Sequence, residues 1–427
     1  MRTFPYLLLT CIVFTFLPFN TASAEETLTW QECVQDAAKN HPDLIAAQEG
    51  IKQSEAAKKV TSSSLLPQVN ANLGASTTTT SFASSDIRKK TDNYSYGASA
   101  SQLIFDGAKT INNVNAAKEN IKASQQSYRF TSSEVRLRLR TAFINLLKSQ
   151  ELIQVAGEIA AMRRSDYELI TLRYESVYEH RGALLTSEAN LAQANFQVAQ
   201  AKRDLESAQW QLTKELGRKE FIPMAVKGDF QVNDGAKEKP DFEKLAENHP
   251  SLQQIIAQEN AARFGLKSAS ADYWPKLTGQ AGANKSGSHW FPQDKEWDLG
   301  LSVSLPIFEG GLRAAQVAQA DALFRQFAAN ERSTRDGLVV ALALAWASLQ
   351  DAVESVEVQN KQLAAAQERA TIAETEYSTG FLTYDNWTII QDNLVQAKTS
   401  FLNVQANALL AEANWIQAKG EVLENAQ

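Results

Sequence analysis

Two very long stretches of the chain carry hydrophobic residues at a helical period. All ten prolines lie outside residues 68–222 and 307–427, and proline breaks the interior of a helix. Within these stretches apolar residues recur three and four positions apart, as at Leu137, Phe143 and Leu147. The pattern predicts a long helical hairpin within residues 108–217 and another within 311–424.

Each hairpin is predicted to contain one helix of unusual length. We expect the helices to have these limits and turns: Ala108–Tyr178, a turn near Gly182, Leu184–Leu216, then Leu312–Ser378, a turn near Gly380, and Tyr384–Leu423. An uninterrupted helix of about 65 to 70 residues is about 100 Å long. That length exceeds a globular core and is typical of coiled-coil pairing.

Two shorter segments, at about 68–106 and 276–308, alternate apolar and polar residues with a period of two. Each segment predicts a β-hairpin, with turns near residues 84–91 and 286–296, which gives four strands of about ten residues. The polar positions are mostly Ser, Gly, Asn and Thr, which favours the lumen wall of a membrane β-barrel. An ordinary antiparallel sheet with one wet face gives the same alternation.

The chain is an internal duplication of about 200 residues. The motif Asn40-His41-Pro42 recurs as Asn248-His249-Pro250, which is 208 residues later, and Phe105 and Tyr174 match Phe308 and Tyr377 at an offset of 203. The first repeat therefore covers residues 25–222, the second covers residues 241–427, and residues 223–240 form a linker or a small collar between them. We expect Glu424–Gln427 to be a frayed end.

The N-terminus has the pattern of a signal peptide over residues 1–24. A basic start at Arg2 precedes an apolar run and the small residues Ala22-Ser23-Ala24, as at a signal-peptidase site. Beyond it, no stretch reaches the roughly 18 to 20 apolar residues that span a bilayer. We therefore expect an exported protein without a helical membrane anchor.

Composition and charge exclude several functional classes. The 427 residues carry a net charge of −7, which argues against a nucleic-acid partner. The sequence has no nucleophile–base motif, phosphate loop or metal motif, which argues against an enzyme, a cofactor or a bound metal. His41 and His249 each precede a proline at a predicted helix start, and Cys33 fits a small buried residue of a helix.

Four strands cannot close a membrane barrel, because the smallest such barrels have about eight strands. An open sheet edge in lipid would also leave backbone groups without hydrogen-bond partners. The predicted fold class is therefore membrane α+β. The strands of a barrel must then come from several chains: three copies would give twelve strands, and the same threefold axis would gather the long helices into a tube below the barrel.

The repeated motifs together resemble the TolC family of outer-membrane efflux proteins. The resemblance is carried by the leader, the paired NHPxL motifs, the LIFDG and LPIFEGG strand-to-helix junctions, and the turn Tyr377–Thr383. It implies a homotrimer with a composite twelve-stranded transmembrane β-barrel, four strands per chain, in outer-membrane lipid, continued by a long α-helical coiled-coil periplasmic tunnel. It also implies that this trimer works with a periplasmic adaptor protein and an inner-membrane transporter. The implied function is the passive exit duct of a tripartite efflux pump or a type I secretion system.

The same resemblance assigns candidate roles at the far ends of the helical hairpins. The residues implied in the periplasmic tip and adaptor docking are Tyr377, Gly380, Thr383, Tyr384 and Gly182. The candidate constriction consists of Asp385, Asn386 and Ile389, where Asn386 and Ile389 replace the two aspartates that are frequent in the family.

Several of these residues also have purely structural interpretations. Asp385 forms an acidic ring by threefold repetition or only caps the returning helix. Tyr384 and Trp387 either plug the mouth of the duct or dock a partner. Alternatively, they are aromatic residues that pack inside the tip. In the first repeat Val177 replaces the turn glycine, so we expect a tip of different shape there.

A different protein class shares much of this pattern. A trimeric coiled-coil surface or structural protein with a β-barrel anchor would also combine long helices with a few strands. Such a stalk normally has strict heptads and one anchor at its C-terminus, whereas each repeat here contains its own hairpin between helices. The duplication therefore favours the duct.

Overall fold

The computed structural model describes residues 26–81, 88–232 and 238–426. The predicted leader, residues 1–24, lies outside the described residues. Residues 82–87, in the first sheet turn, and residues 233–237, in the inter-repeat linker, also lie outside them.

The two repeats contain the same series of elements. The first has β1 (Glu26–Leu28), α1 (Trp30–Asn40), α2 (Pro42–Ser63), β2 (Gln68–Ser81), β3 (Arg88–Phe105), α3 (Lys109–Glu175) and α4 (Arg181–Glu215). The second has β4 (Met224–Val226), α5 (Phe242–Glu247), α6 (Pro250–Ala271), β5 (Lys276–Gly287), β6 (Asp294–Ser304), α7 (Leu312–Ser378) and α8 (Tyr384–Ala418). A 3₁₀ turn at Leu423–Asn425 follows.

The long helices form where the sequence predicts them, with differences at some ends. The limits of α7 agree with the prediction, whereas α4 begins at Arg181, before the predicted Leu184. The earlier start arises because the His180 side chain accepts a hydrogen bond from the amide of Ala183 at 3.1 Å. Gly182 therefore lies in the first turn of α4 and not in the turn between the helices.

Histidines also cap α2 and α6, as their position before proline predicts. Nδ1 of His41 accepts from the amide of Asp43, and Nδ1 of His249 accepts from the amide of Ser251, each at 3.2 Å. Both helices then begin with proline, which has no amide hydrogen to satisfy at that position.

The four longer strands form one antiparallel sheet in the order β2-β3-β5-β6. The register places Val69 opposite Ala100, Ala100 opposite Ala281, and Ala281 opposite Leu299. The alternating apolar residues therefore share one face across all four strands, as predicted. Strands β2 and β3 have 14 and 18 residues and are longer than expected.

The helices repeat the order of the strands. Helix α3 packs against α2 and α4 and against α6 and α8, and α7 packs on α6 and α8. The order of neighbours is therefore α2 with α4, then α3, then α6 with α8, then α7. Each of these four helical positions continues one strand of the sheet. In the chain, β2 follows α2, β3 precedes α3, β5 follows α6, and β6 precedes α7.

The main hydrophobic core lies about midway along α3, where it contacts α1, α4 and the short parallel pair β1–β4. Cys33 is buried in this core as a free thiol, as predicted, and burial raises its pKa to about 12. Gln150 of α3 fixes the linker strand by bonding both the amide and the carbonyl of Val226.

The expected frayed C-terminus is wrong for the described residues. The carboxylate of Glu424 accepts hydrogen bonds from Tyr128 at 2.7 Å and from Ser132 at 2.6 Å, and Leu423 is fully buried. These contacts tie the end of the second repeat to α3 of the first.

One 18-residue stretch inside α7 is apolar and long enough to cross a membrane by composition, contrary to the expectation that none would be. Only 17% of this stretch is buried within the single chain. Length and composition alone do not distinguish a membrane span from a surface that another protein covers.

Candidate functional site

The tip of the helical part carries most of the predicted functional residues. It consists of the turn at 176–180 between α3 and α4 and the turn at 379–383 between α7 and α8. Helices α3 and α7 have 67 residues each, so the tip lies about 100 Å from the sheet.

The two turns end their long helices with the same hydrogen bonds. The amide of Tyr178 bonds the carbonyl of Arg173 at 2.8 Å, and the amide of Phe381 bonds the carbonyl of Glu376 at 2.8 Å. This six-residue closure is a Schellman motif, which requires a left-handed residue just before the donor. Val177 holds that position with φ 65° in the first repeat, and Gly380 holds it with φ 84° in the second.

Tyr377 joins the two turns. Its hydroxyl donates to Oε1 of Glu179 at 2.8 Å, and its ring stacks on Trp387 with centroids 4.5 Å apart. The guanidinium of Arg173 lies 4.4 Å from the centre of the Tyr377 ring and donates to the carbonyl oxygens of Tyr377 and Ser378. Burial, with a smaller effect of Glu179, raises the pKa of Tyr377, so its hydroxyl remains a donor.

The aromatic side chains of the predicted docking set are packing residues. Tyr377, Tyr384 and Trp387 are 1%, 7% and 3% exposed and form one core with Ile170 and Ala183. Within the described chain their rings are unavailable to a partner. Tyr384 and Trp387 pack in the interior of the tip, as the packing alternative predicts, and Tyr377 connects the two turns.

The remaining predicted residues lie on the surface of the tip. Thr383 is the N-cap residue of α8, although its side chain makes no capping bond, and Asp385 follows in the first turn. The proposal that Asp385 is the N-cap is therefore wrong. Asp385, Asn386 and Ile389 are all exposed, as are Gly380 and Gly182.

The largest exposed apolar residues of the tip are ones that the sequence interpretation missed. Val177, Tyr178 and Phe381 are 89%, 83% and 89% exposed. Tyr178 and Phe381 occupy equivalent positions, each directly after the left-handed residue of its turn. An apolar residue at that position normally packs back on its own helix, whereas Tyr178 and Phe381 are exposed in the single chain.

Three charged groups connect α3 and α8 just above this core. The buried guanidinium of Arg163 hydrogen-bonds the carboxylate of Asp392 on α8 and lies 3.6 Å from Oδ2 of Asp166. Burial is the largest influence on Asp166 and raises its pKa from 3.8 to about 6, although Arg163 opposes the shift.

The sheet is the second candidate region, because it is open at both edges. Strands β2 and β6 each pair on one side only, and both are exposed along their whole length. The apolar face is also exposed, with Leu299 at 89%. The opposite face carries polar residues, including three acidic residues of β6, namely Asp294, Glu296 and Asp298.

The part of the chain that the structure describes contains no group of three or more His, Cys, Asp or Glu side chains placed to hold a metal ion. The described residues instead present three uncovered surfaces: the edges of the apolar sheet, the edges of the helical layer, and the apolar tip.

Comparison with known proteins identifies chains of the same kind. The family model described as "Outer membrane efflux protein" matches residues 33–218 and 242–421. The outer membrane efflux protein BepC of Brucella suis biovar 1 (strain 1330) is 20% identical over 94% of this chain and 87% of its own length. Outer membrane protein TolC of Escherichia coli (strain K12) is 23% identical over 95% of this chain and 84% of its own.

The fold is also that of a solved channel. The crystal structure of the Campylobacter jejuni CmeC outer membrane channel matches with a TM-score of 0.81 at 17% identity, covering 97% of this chain and 94% of that chain.

Proposed function

Because the chain belongs to the outer membrane efflux protein family, we propose that it is the passive exit duct of a tripartite efflux pump or a type I secretion system. The protein is located in the outer membrane, with most of its chain in the periplasm. In this function an inner-membrane transporter supplies the energy, a periplasmic adaptor links it to the duct, and the duct performs no chemistry.

The observation that carries the proposal is the shared order of strands and helices in one open layer. The sheet order β2-β3-β5-β6 is continued by α2 with α4, α3, α6 with α8, and α7. The sheet and the helices of one chain therefore have their open edges on the same two sides. Four strands are too few to close a barrel, so the layer closes only when further copies of the chain add to these edges. Three copies give twelve strands and twelve helical positions around one axis.

The sheet faces support an orientation of this barrel. Closing β6 of one chain against β2 of the next satisfies the backbone groups of both edges, as lipid requires. The apolar face, with Leu73, Leu299, Leu301 and Val303 exposed, then contacts lipid. The opposite face, rich in Ser, Asn and acidic residues, then lines a polar lumen.

The helical edges support the same assembly. Helix α7 lies at one edge of the layer, and its apolar stretch is mostly uncovered in the single chain. In a trimer the α2 and α4 edge of a neighbouring chain covers it. A contact between subunits therefore explains this stretch without a membrane span.

At the tip, the proposed docking surface for the adaptor consists of the exposed turn residues. Tyr178 and Phe381 of each chain supply apolar contacts, and Gly380 and Thr383 shape the second turn. Tyr377 and Tyr384 hold this surface in place from inside. The proposed constriction is formed by Asp385, Asn386 and Ile389 of α8.

The first experiment is the mass of the particle extracted by detergent from fractionated envelopes, corrected for bound detergent. A trimer in the outer-membrane fraction that conducts ions in planar bilayers supports the duct. A trimer without conductance would instead support a coiled-coil surface protein. A soluble periplasmic monomer would overturn both functions.

A matched pair of variants tests the orientation of the sheet. Leu299→Arg places a charge on the apolar face, where it costs about 2 to 4 kcal/mol near the bilayer midplane, so fewer trimers should reach the outer membrane. Ser302→Arg on β6 lies on the polar face and should assemble normally. Equal trimer yields for the two variants would contradict the proposed lipid contact.

A further inference from the structure

Strand β6 separates its charges between the two faces of the sheet. Asp294, Glu296 and Asp298 point to the polar face, whereas Lys295 and Trp297 alternate with them and point to the apolar face. The register places Lys285 of β5 directly opposite Lys295. Two lysines thus lie side by side on the apolar face, in the same register row as Leu73 and Tyr96.

Among the residues that the structure describes, this lysine pair has no carboxylate partner. Both side chains are exposed, and within the described residues neither ammonium group lies within salt-bridge distance of a carboxylate. By contrast, Lys90 on β3 lies 3.9 Å from Asp92. Like charges directly opposite each other destabilise a strand pair, so the arrangement favours an anion that contacts both.

The pair lies at the height of lipid headgroups in the proposed orientation. Lys285 follows Leu277 by eight residues in β5, which is about 26 Å along the strand and about 20 Å along the membrane normal at a tilt near 40°. The apolar band of a membrane barrel is about 25 Å tall. The lysines therefore lie near the border of this band, at the sheet end farthest from the helices, and their long side chains extend to the headgroups.

Aromatic residues surround the pair at the same height. Tyr96 is the neighbour of Lys285 on β3, and its hydroxyl donates to the carbonyl of Trp290. The rings of Tyr94 and Trp290 meet edge to face, with centroids 5.3 Å apart. Such rings are enriched at membrane interfaces, so cations and aromatics together form a surface suited to a charged headgroup above apolar chains.

We propose that Lys285 and Lys295 bind the phosphate of an outer-leaflet lipid, a proposal that rests on the proposed function. The two ammonium groups supply six N–H donors to the phosphate oxygens, and the lipid chains lie against Leu73, Ala98 and Ala283. A trimer has three such sites, one on each protomer. The bound lipid relieves the repulsion between the two lysines.

The test uses the full-length protein in detergent, with diphosphoryl lipid A as the probe and native mass spectrometry as the readout. Removing one lysine, by Lys285→Gln or Lys295→Gln, should weaken binding about 5-fold, and the double variant should weaken it about 25-fold. The matched control is Lys276→Gln, at the helix-side end of β5 and on the polar face. It should bind lipid A like the unaltered protein.

Three results would overturn the inference. The first is undiminished binding of lipid A by the double variant. The second is equal binding of fully dephosphorylated lipid A, which would mean that only the acyl chains are recognised. The third is that inorganic phosphate displaces lipid A at equal concentration, since the site would then prefer free phosphate to the lipid.

The same spectra separate this inference from the proposed function. A trimer that binds lipid A independently of the lysines leaves the duct proposal intact and removes only the lipid site. A chain that is monomeric in every preparation contradicts the duct itself.

Discussion

The hydroxyl of Tyr377, at the end of α7, donates to Oε1 of Glu179, in the turn of the other helical hairpin, at 2.8 Å. Arg173 crosses in the opposite direction, from α3 to the carbonyl oxygens at the end of α7. The two hairpin ends are therefore connected by hydrogen bonds in both directions.

Replacing Tyr377 by Phe should loosen this connection without unpacking the core. The ring and its stack on Trp387 are retained, and only the bond to Glu179 is lost, which costs about 1 kcal/mol. We expect faster amide hydrogen exchange in residues 176–181. Tyr174→Phe is the control, because Tyr174 is the equivalent residue of the first repeat and lies half-exposed. Equal exchange in the two variants would show that the bond to Glu179 does not hold the turns.

Val177→Gly should stabilise the first turn. A β-branched residue at φ 65° is strained by about 1 to 2 kcal/mol relative to glycine, and glycine's entropy in the unfolded chain offsets part of the gain. The reverse substitution, Gly380→Val, should destabilise the second turn, although a Cβ there meets nothing within 4 Å. Local exchange rates of the two turns measure both effects. A loss of protection in Val177→Gly would mean that contacts of the valine side chain outweigh the backbone strain.

The sequence predicted those features of the fold that depend on local chemistry. Proline and glycine predict where α7 begins and ends, because each restricts or frees the backbone at its own position. The period of two in residues 276–308 predicts which residues share a face of the sheet. The end of α3 was placed too late, because Val177 in a left-handed conformation is a rare helix stop. The docking of Glu424 on Tyr128 joins residues 296 positions apart, which no local pattern encodes.

The candidate site was predicted less well than the fold. A motif gives the position of Tyr377 and Tyr384 but not their burial, which depends on how the two hairpins pack at the tip. For the same reason Tyr178 and Phe381 were overlooked. The available signal was the repeat offset of 203, which relates Tyr178 to Phe381, the residue directly after Gly380.

Gly217→Ala should strongly destabilise the junction between α4 and α1. Gly217 has φ +71°, and a Cβ there would overlap the carbonyl oxygen of Asn40. Strain and backbone overlap together should cost about 3 kcal/mol or more, seen as a lower melting temperature of the detergent-solubilised protein. Gly157→Ala is the control, because a Cβ there meets nothing within 4 Å and alanine favours helix by about 1 kcal/mol. A similar melting temperature for the two variants would contradict the close approach.

Asp166 should make the tip more stable in mild acid than at neutral pH. Its pKa in the folded chain is about 6, raised from 3.8, so the folded state holds the proton more tightly than the unfolded chain. The resulting stability is complete below about pH 4 and is lost as the pH rises through 6, with a magnitude on the order of 2 kcal/mol. Neighbouring charges are Arg163, Glu374 and Asp392.

Asp166→Asn tests this dependence, because the amide keeps the shape of the side chain without its charge. We expect a higher melting temperature than the unaltered protein at about pH 7.5 and a smaller difference at about pH 5. Glu168→Gln, an exposed neighbour on α3, should leave the pH dependence unchanged. A pH dependence that survives in Asp166→Asn would assign it to another group.

Asp385→Ala should reduce the cation preference of the channel. In a trimer the exposed carboxylates of Asp385 would repeat around the axis at a narrow mouth, where a ring of like charges attracts cations and repels anions. Reversal potentials in a salt gradient across a planar bilayer measure the preference, and block by divalent cations from the tip side should weaken as well. Asn386→Ala, at the adjacent exposed position, removes a similar volume but no charge and should retain the preference. An unchanged reversal potential in Asp385→Ala would place the selectivity elsewhere, and the acidic residues of β6 would be the next groups to remove.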